Sequence, residues 1–133
     1  VKAMRQTLQR ADVAPDTLGH IHAHGLGTVI SDIAEAQAIN QVFGDFARTV
    51  QVVAAKSQLA HAGAGSGMLE LIASLLALRH GHLFPVLNYS EADPACPVRP
   101  VRNCNDAAGN CFLNLNLFGR GLASCVAAGT FRG

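Results

Sequence analysis

Gly19-His20-Ile21-His22-Ala23-His24-Gly25-Leu26-Gly27 is typical of a short buried strand that ends in a tight bend. Residues 19–24 lie between turn signals, and the glycines that follow allow the backbone to bend closely around a neighbouring group. Residues 33–42 have apolar side chains at helical spacings, and Asp32 is the expected N-cap of that helix. A strand, a bend and a helix in this order predict an α/β domain.

Segments on both sides of this stretch continue the alternation. We expect a helix over 2–10 and another that ends at His80, where Gly81 is the C-cap. Strands over 50–55, 112–117 and 122–128, with an edge or connecting segment at 83–88 and a polar loop over 90–106, complete a mixed sheet layered with helices. The helix that ends at His80 is apolar nearly all round, which predicts burial on more than one side.

Length and composition are those of one domain, 1–133, with a hydrophobic core. Half of the residues are apolar and 14% are charged, against about a quarter in a typical soluble domain, which indicates a buried interface. The net charge of +1 provides no basic patch for nucleic acid or for an anionic membrane. The longest apolar stretch, 68–78, includes Glu70 and is shorter than the roughly 20 residues of a membrane span.

The start of the chain and the spacing of its cysteines indicate the kind of protein and compartment from which it comes. The first residue is Val1 and no apolar leader follows it, so we expect a fragment of a cytoplasmic protein. Cys96, Cys104, Cys111 and Cys125 show no two-residue spacing, which favours four free, largely buried thiols over disulfides. None lies in the electropositive or helix-terminal setting of a nucleophilic cysteine.

Three histidines alternate along the strand, so the side chains of His20, His22 and His24 point to one face. Neutral imidazoles at this spacing are able to bind zinc. His61 is the one further ligand in view, however, and no supporting outer groups are evident. We therefore expect no metal, with His20 and His22 as ordinary partly buried or surface histidines.

Four ordered blocks of sequence carry a resemblance to a known family. They are His22-Ala23-His24-Gly25-Leu26-Gly27-Thr28; Asp32 with Glu35, Ala36 and Gln37; Lys56-Ser57-Gln58-Leu59-Ala60-His61; and Leu76-Ala77-Leu78-Arg79-His80-Gly81. In this order and at these spacings they resemble the C-terminal half of the β-ketoacyl synthases, condensing enzymes of the thiolase-like fold. That family has Glu-Ala-His-Gly-Thr-Gly-Thr, Asp-x-x-Glu-Ala, Lys-Ser-x-x-Gly-His and a glycine-rich loop in succession.

The resemblance implies roles for particular residues. His24 and His61 match the two active-site histidines, which in the family surround the thioester of a malonyl group on acyl carrier protein. Lys56 and Glu35 match a lysine and a glutamate that pair beside those histidines and hold the charge and geometry of the site. Thr28 matches a hydroxyl that lines the tunnel for the pantetheine arm of the carrier.

Several positions depart from the family pattern. Phe118-Gly119-Arg120-Gly121 matches a Phe-Gly-Phe-Gly-Gly oxyanion and gating loop, with Arg120 in place of the Phe that gates the acyl pocket. His22 replaces a glutamate, Leu26 replaces a threonine, and Leu122-Ala123-Ser124 replaces Gly-Thr-Asn. These changes cluster at the mouth of the implied site and indicate an acyl substrate that is short, polar or absent.

The implied function is that of a 3-oxoacyl-(acyl-carrier-protein) synthase. This acyltransferase condenses malonyl-carrier with an acyl thioester, with loss of carbon dioxide, in fatty acid or polyketide synthesis. The family's nucleophilic cysteine belongs to the N-terminal half, so we expect this chain alone to be inactive. No cofactor is implied beyond the phosphopantetheine of the carrier. Expected partners are acyl carrier protein, the N-terminal half of the same protein, and a second subunit in a homodimer or heterodimer.

A second interpretation is a non-catalytic subunit of the chain-length-factor type, which pairs with an active synthase. The departures at Leu26 and Arg120 favour it. The joint presence of His24, Lys56 and His61 opposes it, because a subunit freed from catalysis has little reason to keep all three.

Overall fold

The computed structural model of the chain describes residues 1–130, apart from the side chain of Arg120. The helices are α1 (Lys2–Ala11), α2 (Val29–Phe43), α3 (Lys56–Leu59) and α4 (Ser66–His80). The strands are β1 (His20–His22), β2 (Gln51–Val53), β3 (Arg99–Pro100), β4 (Cys111–Phe118) and β5 (Leu122–Gly129). The longest of these helices have 15 residues, and none in the described range is long and apolar enough to cross a membrane.

The strands form one mixed sheet in the order β3-β2-β1-β4-β5. The first four strands are parallel, and β5 runs antiparallel to β4 after a turn over Gly119–Gly121. The expected mixed sheet layered with helices is confirmed. The polar loop predicted over 90–106 contains β3, a two-residue strand that the sequence prediction missed. It pairs with β2 at the edge of the sheet, where proline is tolerated.

The two faces of the sheet have opposite character. Ile21 and Leu113 belong to an apolar cluster that includes buried side chains of α1 and α2. The alternate residues of the same strands face α4, where His20 and His22 bind Ser74 and Asn114 donates to a backbone carbonyl. The period of two along β1 therefore separates an apolar layer from a buried polar layer.

Helix α2 begins earlier than the sequence predicts. Its N-cap is Thr28, so the expectation that Asp32 caps the helix is wrong. Asp32 instead lies in the first turn, where its carboxylate accepts the N–H of Gly27 at 3.3 Å and suits the positive end of the helix dipole. Val29 and Ile30 are 73% and 87% exposed, which explains why an apolar periodicity failed to mark this turn.

Helix α4 turns its polar side chains inward. Ser66, Glu70 and Ser74 are buried together with Ala77. The apolar side chains Met68, Leu69, Ile72, Leu75 and Leu76 are 42–60% exposed. Within this chain α4 is therefore covered on one face, and the opposite, apolar face is open, so the expected burial on more than one side is wrong for this chain. Gly81 ends the helix in a left-handed conformation, as expected.

Candidate functional site

The carboxyl ends of the parallel strands bring the matched residues to one edge of the sheet. His24 follows β1, and Lys56 follows β2 at the start of α3. In the strand register His22 lies beside Val53 on one side and Asn114 on the other, so β1, β2 and β4 end side by side. This edge is where parallel sheets bind their ligands.

Glu35 of α2 holds the bend after β1. One carboxylate oxygen accepts the backbone N–H of His24 at 2.7 Å, and the other accepts that of Gly25 at 2.9 Å. Gly25 has a φ of 51°, and a Cβ there would lie 2.8 Å from the Cβ of Ala54, so the bend needs glycine. Burial raises the pKa of the Glu35 carboxyl, and the two N–H donors oppose that rise. Glu35 thus fixes the backbone that carries the His24 ring.

Lys56 uses all three N–H donors of its ammonium group. It donates to the carbonyl oxygen of His24 at 2.6 Å, to Nδ1 of the same residue at 3.2 Å, and to the carboxylate of Glu70. The expected pairing of Lys56 with Glu35 is therefore wrong, because the ion pair is made with Glu70. Both oxygens of Glu35 are already engaged by backbone N–H groups. The Lys56 ammonium thus connects the bend that carries His24 to Glu70 of α4.

Glu70 is a site residue that sequence reasoning missed. Its side chain is 2% exposed, and burial raises the pKa of its carboxyl while the hydrogen bond from Lys56 lowers it. Its second oxygen, Oε2, has no hydrogen-bond partner among residues 1–130. A signal was available, since Ser66, Glu70 and Ser74 recur every four residues in an otherwise apolar helix and so share one face.

The ring of His24 is neutral and has a defined tautomer. Burial first, then the charge of Lys56 and then His61, lower the pKa of His24 from 6.5 to about 4. Because Nδ1 accepts a hydrogen bond from the Lys56 ammonium, the proton of the neutral ring lies on Nε2. His24 therefore offers an N–H donor at Nε2.

His61 lies just after α3 and faces His24. The two ring centroids are 6.3 Å apart and the rings are nearly perpendicular, at 83°. The backbone N–H of Gly63 donates to Nδ1 of His61 at 3.0 Å, so the proton of this ring also lies on Nε2. The His61 side chain is exposed in this chain, whereas His24 is 5% exposed. Two imidazoles with the same donor atom suit a ligand that carries negative charge on oxygen.

His20 and His22 are fully buried, so neither is the partly buried or surface histidine that the sequence analysis favours. Their polar atoms are satisfied inside the fold, with Ser74 as a shared partner. The described part of the chain contains no group of three or more His, Cys, Asp or Glu side chains arranged to hold a metal ion.

The remaining matched residues lie around the same edge of the sheet. Thr28 is exposed at the start of α2, and its hydroxyl makes no capping hydrogen bond. Phe118 is 59% exposed at the end of β4, and Gly119 and Gly121 bound the turn that follows. The side chain of Arg120 lies outside the described part of the structure.

The cysteines are free thiols, as expected. The expectation that they are largely buried is wrong in degree, because Cys104 is exposed in the loop before β4 and the other three are half-buried. Burial raises the pKa of the Cys96 and Cys125 thiols, which disfavours the reactive thiolate.

Comparison with known proteins gives one consistent result. Residues 1–90 match a family model described as the C-terminal domain of beta-ketoacyl synthase. Nodulation protein E of Rhizobium leguminosarum bv. trifolii is 41% identical over 101 residues, which are 76% of this chain and 25% of that protein. The 3-oxoacyl-(acyl-carrier-protein) synthase 2 of Coxiella burnetii is 36% identical over 100 residues, 75% of this chain and 24% of that protein.

Solved structures show the same likeness in three dimensions. The ishigamide ketosynthase/chain length factor superposes with a TM-score of 0.91 at 34% identity, covering 97% of this chain and 32% of that one. A ketosynthase solved with its type II acyl-carrier protein has a TM-score of 0.93 at 27% identity, covering 98% of this chain and 32% of that one. The chain thus spans about a quarter of the curated relatives and about a third of these solved chains.

Proposed function

The chain belongs to the β-ketoacyl synthase family, as a C-terminal domain with the thiolase-like fold, and we propose that it contributes the two histidine donors of a decarboxylative condensation. The proposed reaction joins malonyl-carrier to an acyl thioester in fatty acid or polyketide synthesis. Relatives named as 3-oxoacyl-(acyl-carrier-protein) synthase and as a polyketide ketoacyl synthase subunit support this reaction class.

The chemistry explains why two neutral histidines are needed. Decarboxylation breaks the bond between the α-carbon and the carboxylate, and the electron pair passes into an enolate whose charge lies on the thioester oxygen. Two N–H donors directed at that oxygen lower the activation barrier. In oxyanion holes, each such donor contributes about 3 kcal/mol. The enolate carbon then attacks the acyl thioester carried by a nucleophilic cysteine, which we assign to residues outside this chain.

The observation that carries the proposal is the shared tautomer of His24 and His61. Each ring accepts a hydrogen bond at Nδ1 and so has its proton on Nε2. A general base would need a bare nitrogen at the reacting atoms, whereas these rings offer donors. Lys56 supports the arrangement by holding Nδ1 of His24, and Glu70 balances its charge.

We propose that the open face of α4 packs against the N-terminal half of the same synthase. This face, defined by Met68, Leu69, Ile72, Leu75 and Leu76, is 42–60% exposed. An apolar patch on one helix, in a chain that spans about a quarter of its relatives, is what a domain separated from its other half would expose. The 133-residue chain alone is then inactive, and adding the matching half restores activity.

Partners and compartment follow from the same assignment. A relative of this chain was solved with its acyl-carrier protein, and another contains a chain length factor, which supports a carrier partner and a second subunit. Thr28 would line the path of the pantetheine arm, which brings the substrate and is the sole prosthetic group required. The free thiols suit a cytoplasmic location.

We also propose that Phe118, Gly119, Arg120 and Gly121 form the loop at the acyl pocket. The sequence has Arg120 where the family motif has a gating Phe, and this substitution favours a short or polar acyl chain. Replacing Arg120 by Phe should extend the range of accepted chains. Unchanged chain-length preference in a competition between short and long acyl-carrier substrates would contradict this role.

The central test is decarboxylation of malonyl-carrier by the full-length synthase with His61→Ala. Loss of one oxyanion donor should lower kcat by about 100-fold or more. His80→Ala, an exposed histidine at the end of α4, is the matched control and should leave the rate unchanged. A normal rate in His61→Ala would remove the proposed donor role.

The second candidate is a non-catalytic subunit that shapes the chain-length pocket of a partner synthase. It is favoured by the likeness to the ishigamide ketosynthase/chain length factor and by the departures at Leu26 and Arg120. Assaying decarboxylation by the purified full-length protein with and without a partner synthase separates the two. Activity of the protein by itself supports the enzyme, and activity confined to the pair supports the subunit.

A further inference from the structure

A buried chain of hydrogen bonds links the carbonyl of Ala108 to the amide of Ala55. The Ala108 oxygen lies 2.8 Å from Nδ1 of His20, and Nε2 of His20 lies 3.0 Å from the hydroxyl of Ser74. The same hydroxyl lies 2.7 Å from Nδ1 of His22, and Nε2 of His22 is 3.1 Å from the backbone nitrogen of Ala55. Both histidines and Ser74 have no exposed surface.

The chain has one possible direction. A carbonyl only accepts, so His20 donates from Nδ1 to Ala108 and leaves Nε2 bare for the hydroxyl proton of Ser74. The hydroxyl, having given its one proton, accepts from Nδ1 of His22, and Nε2 of His22 is then bare for the N–H of Ala55. A backbone N–H only donates, so the same assignment follows from the other end.

Two members of this chain of hydrogen bonds, Ala55 and Ser74, lie next to or on the two elements that hold Lys56. Ala55 immediately precedes Lys56 and is the N-cap of α3. Ser74 lies one helical turn after Glu70 on the buried face of α4, and Glu70 is the ion-pair partner of Lys56. His22 therefore contacts the backbone before the lysine and the helix that supplies its counter-charge.

We infer that His22 is a positioning residue, which sets the place of Lys56 through the amide of Ala55 and thereby keeps Nδ1 of His24 occupied. Ser74 and His20 fix the tautomer of His22 that this contact requires. The inference rests on the proposed function, because Lys56 matters there through its bond to His24. It names a role for a position at which the family motif has another residue.

The chain of bonds persists at neutral pH because its histidines stay uncharged. Burial lowers the pKa of His20 to about 4, opposed by its bond to Ala108. Burial first, and then electrostatic repulsion from a protonated His20 and from Lys56, lower the pKa of His22 to about 3. A second proton on either ring would remove an acceptor and break the sequence of bonds.

Two isosteric variants separate the two ends of His22. His22→Gln places an amide oxygen where Nε2 lies and is able to accept the N–H of Ala55. His22→Asn keeps a donor for Ser74 but ends before Ala55. We expect His22→Gln to retain most of the kcat of the full-length synthase for malonyl-carrier decarboxylation. His22→Asn should lower kcat about tenfold with KM unchanged, a fraction of the roughly 100-fold loss that a displacement of about 1 Å causes. Equal kcat values for the two variants would overturn the inference.

A spectroscopic measurement keeps the test independent of turnover. In nitrogen NMR of the histidine rings, His20 and His22 should carry the proton on Nδ1, and His24 should carry it on Nε2. The Nδ1 signal of His24 should move in His22→Asn and stay in His22→Gln, although neither substituted side chain touches His24. A signal that moves equally in both, or in neither, would overturn the positioning role.

The outcomes for the two proposals are distinct. If the parent synthase lacks decarboxylation while the His24 signal responds to His22→Asn alone, the proposed function fails and the structural coupling stands. If the parent is active, and kcat and the His24 signal are the same in His22→Asn and His22→Gln, the proposed function stands and the positioning role fails. Thr7→Val, which removes a hydroxyl that donates to the carbonyl of Cys125 at 3.0 Å, is the control for loss of one hydrogen bond elsewhere.

Discussion

The ammonium nitrogen of Lys56 lies 3.2 Å from Nδ1 of His24, and the same ammonium is paired with the carboxylate of Glu70. One cation therefore fixes the tautomer of a histidine and compensates a buried acid. The two effects are separable. The tautomer of His24 always needs the N–H donor of Lys56, whereas the positive charge of Lys56 is needed only while the Glu70 carboxylate is present.

The first prediction separates these effects by removing the charges in turn. Lys56→Met leaves Glu70 as an uncompensated acid at 2% exposure, and breaking a buried pair in this way costs about 3 to 5 kcal/mol. Lys56→Met combined with Glu70→Leu removes both charges and should recover most of that loss. Urea unfolding of the single and the double variant measures the loss of unfolding free energy and its recovery. Decarboxylation should remain impaired in the two variants, because His24 lacks its donor in each.

Lys2→Met is the matched control, since Lys2 is exposed on α1. It should change the free energy of unfolding by less than about 0.5 kcal/mol. A double variant no more stable than Lys56→Met would mean that Glu70 is not the destabilised group, and the assignment of the pair would be wrong.

The second prediction concerns Glu35, whose two oxygens accept the backbone N–H groups of His24 and Gly25. Glu35→Gln keeps the size of the side chain but replaces one acceptor oxygen by an NH₂ group. One of the two backbone N–H groups is then left without an acceptor. We expect a loss of about 1 to 3 kcal/mol in unfolding free energy. Asp32→Asn, on the same helix with one exposed contact at 3.3 Å, should lose far less. Equal losses would contradict the special role of Glu35.

Regular elements were largely predictable, because alternation and capping act over a few residues. Helix α1, the β4–β5 hairpin and the C-cap at Gly81 follow from such local patterns. The start of α2 did not, since Val29 and Ile30 are apolar yet exposed. Strand β3 was missed because its two residues pair only through the tertiary fold.

The same distinction between local patterns and tertiary contacts applies to the residues of the candidate site. His24, Lys56 and His61 belong to contiguous motifs, so the sequence alone nominates them as candidates, and the structure places Lys56 and His61 next to His24. The partner of Lys56 was not, because Glu70 comes from α4 and its contact depends on how that helix lies across the sheet. The hydrogen bonds of His22 were also out of reach, since each joins segments that are distant in the chain.

The third prediction concerns backbone strain next to His61. Ala60 has φ 59° and ψ −171°, a conformation that belongs almost exclusively to glycine. The related motif Lys-Ser-x-x-Gly-His has glycine at this position. Strain of this kind lowers the stability of the folded protein by about 1 to 3 kcal/mol. Glycine in place of alanine lowers stability by about 0.4 to 1 kcal/mol, because it raises the conformational entropy of the unfolded chain. Ala60→Gly should therefore stabilise the protein, by about 1.3 kcal/mol at the middle of these two ranges.

Ala62→Gly provides the control two residues further on. Ala62 has a φ of −88°, which any residue adopts, so glycine there should reduce the free energy of unfolding. Thermal or urea unfolding of the two variants should thus give changes of opposite sign. A loss of stability in both would show that Ala60 is not strained.

The fourth prediction is a pH dependence that comes from the buried histidines. His20 and His22 have folded pKa values of about 4 and about 3, against 6.5 for an ordinary histidine. Below pH 6.5 the unfolded chain therefore binds protons that the folded chain excludes, and stability falls as the pH falls toward about 4. Each ring contributes about 1.4 kcal/mol per pH unit in this window. The raised pKa values of Glu35 and Glu70 act in the opposite sense.

A comparison of variants cancels the carboxyl contribution. His22→Gln does not titrate, so between pH 6.5 and about 4 its stability should fall less steeply than that of the parent, by about 1.4 kcal/mol per pH unit. Urea unfolding across this range gives the two slopes. Gln6→Ala, which removes no titratable group and lies at an exposed position, should keep the parental slope. If His22→Gln also kept it, His22 would have to take up its second proton at the same pH in the folded and unfolded states, and the Nε2 that accepts the N–H of Ala55 would not stay bare below pH 6.5.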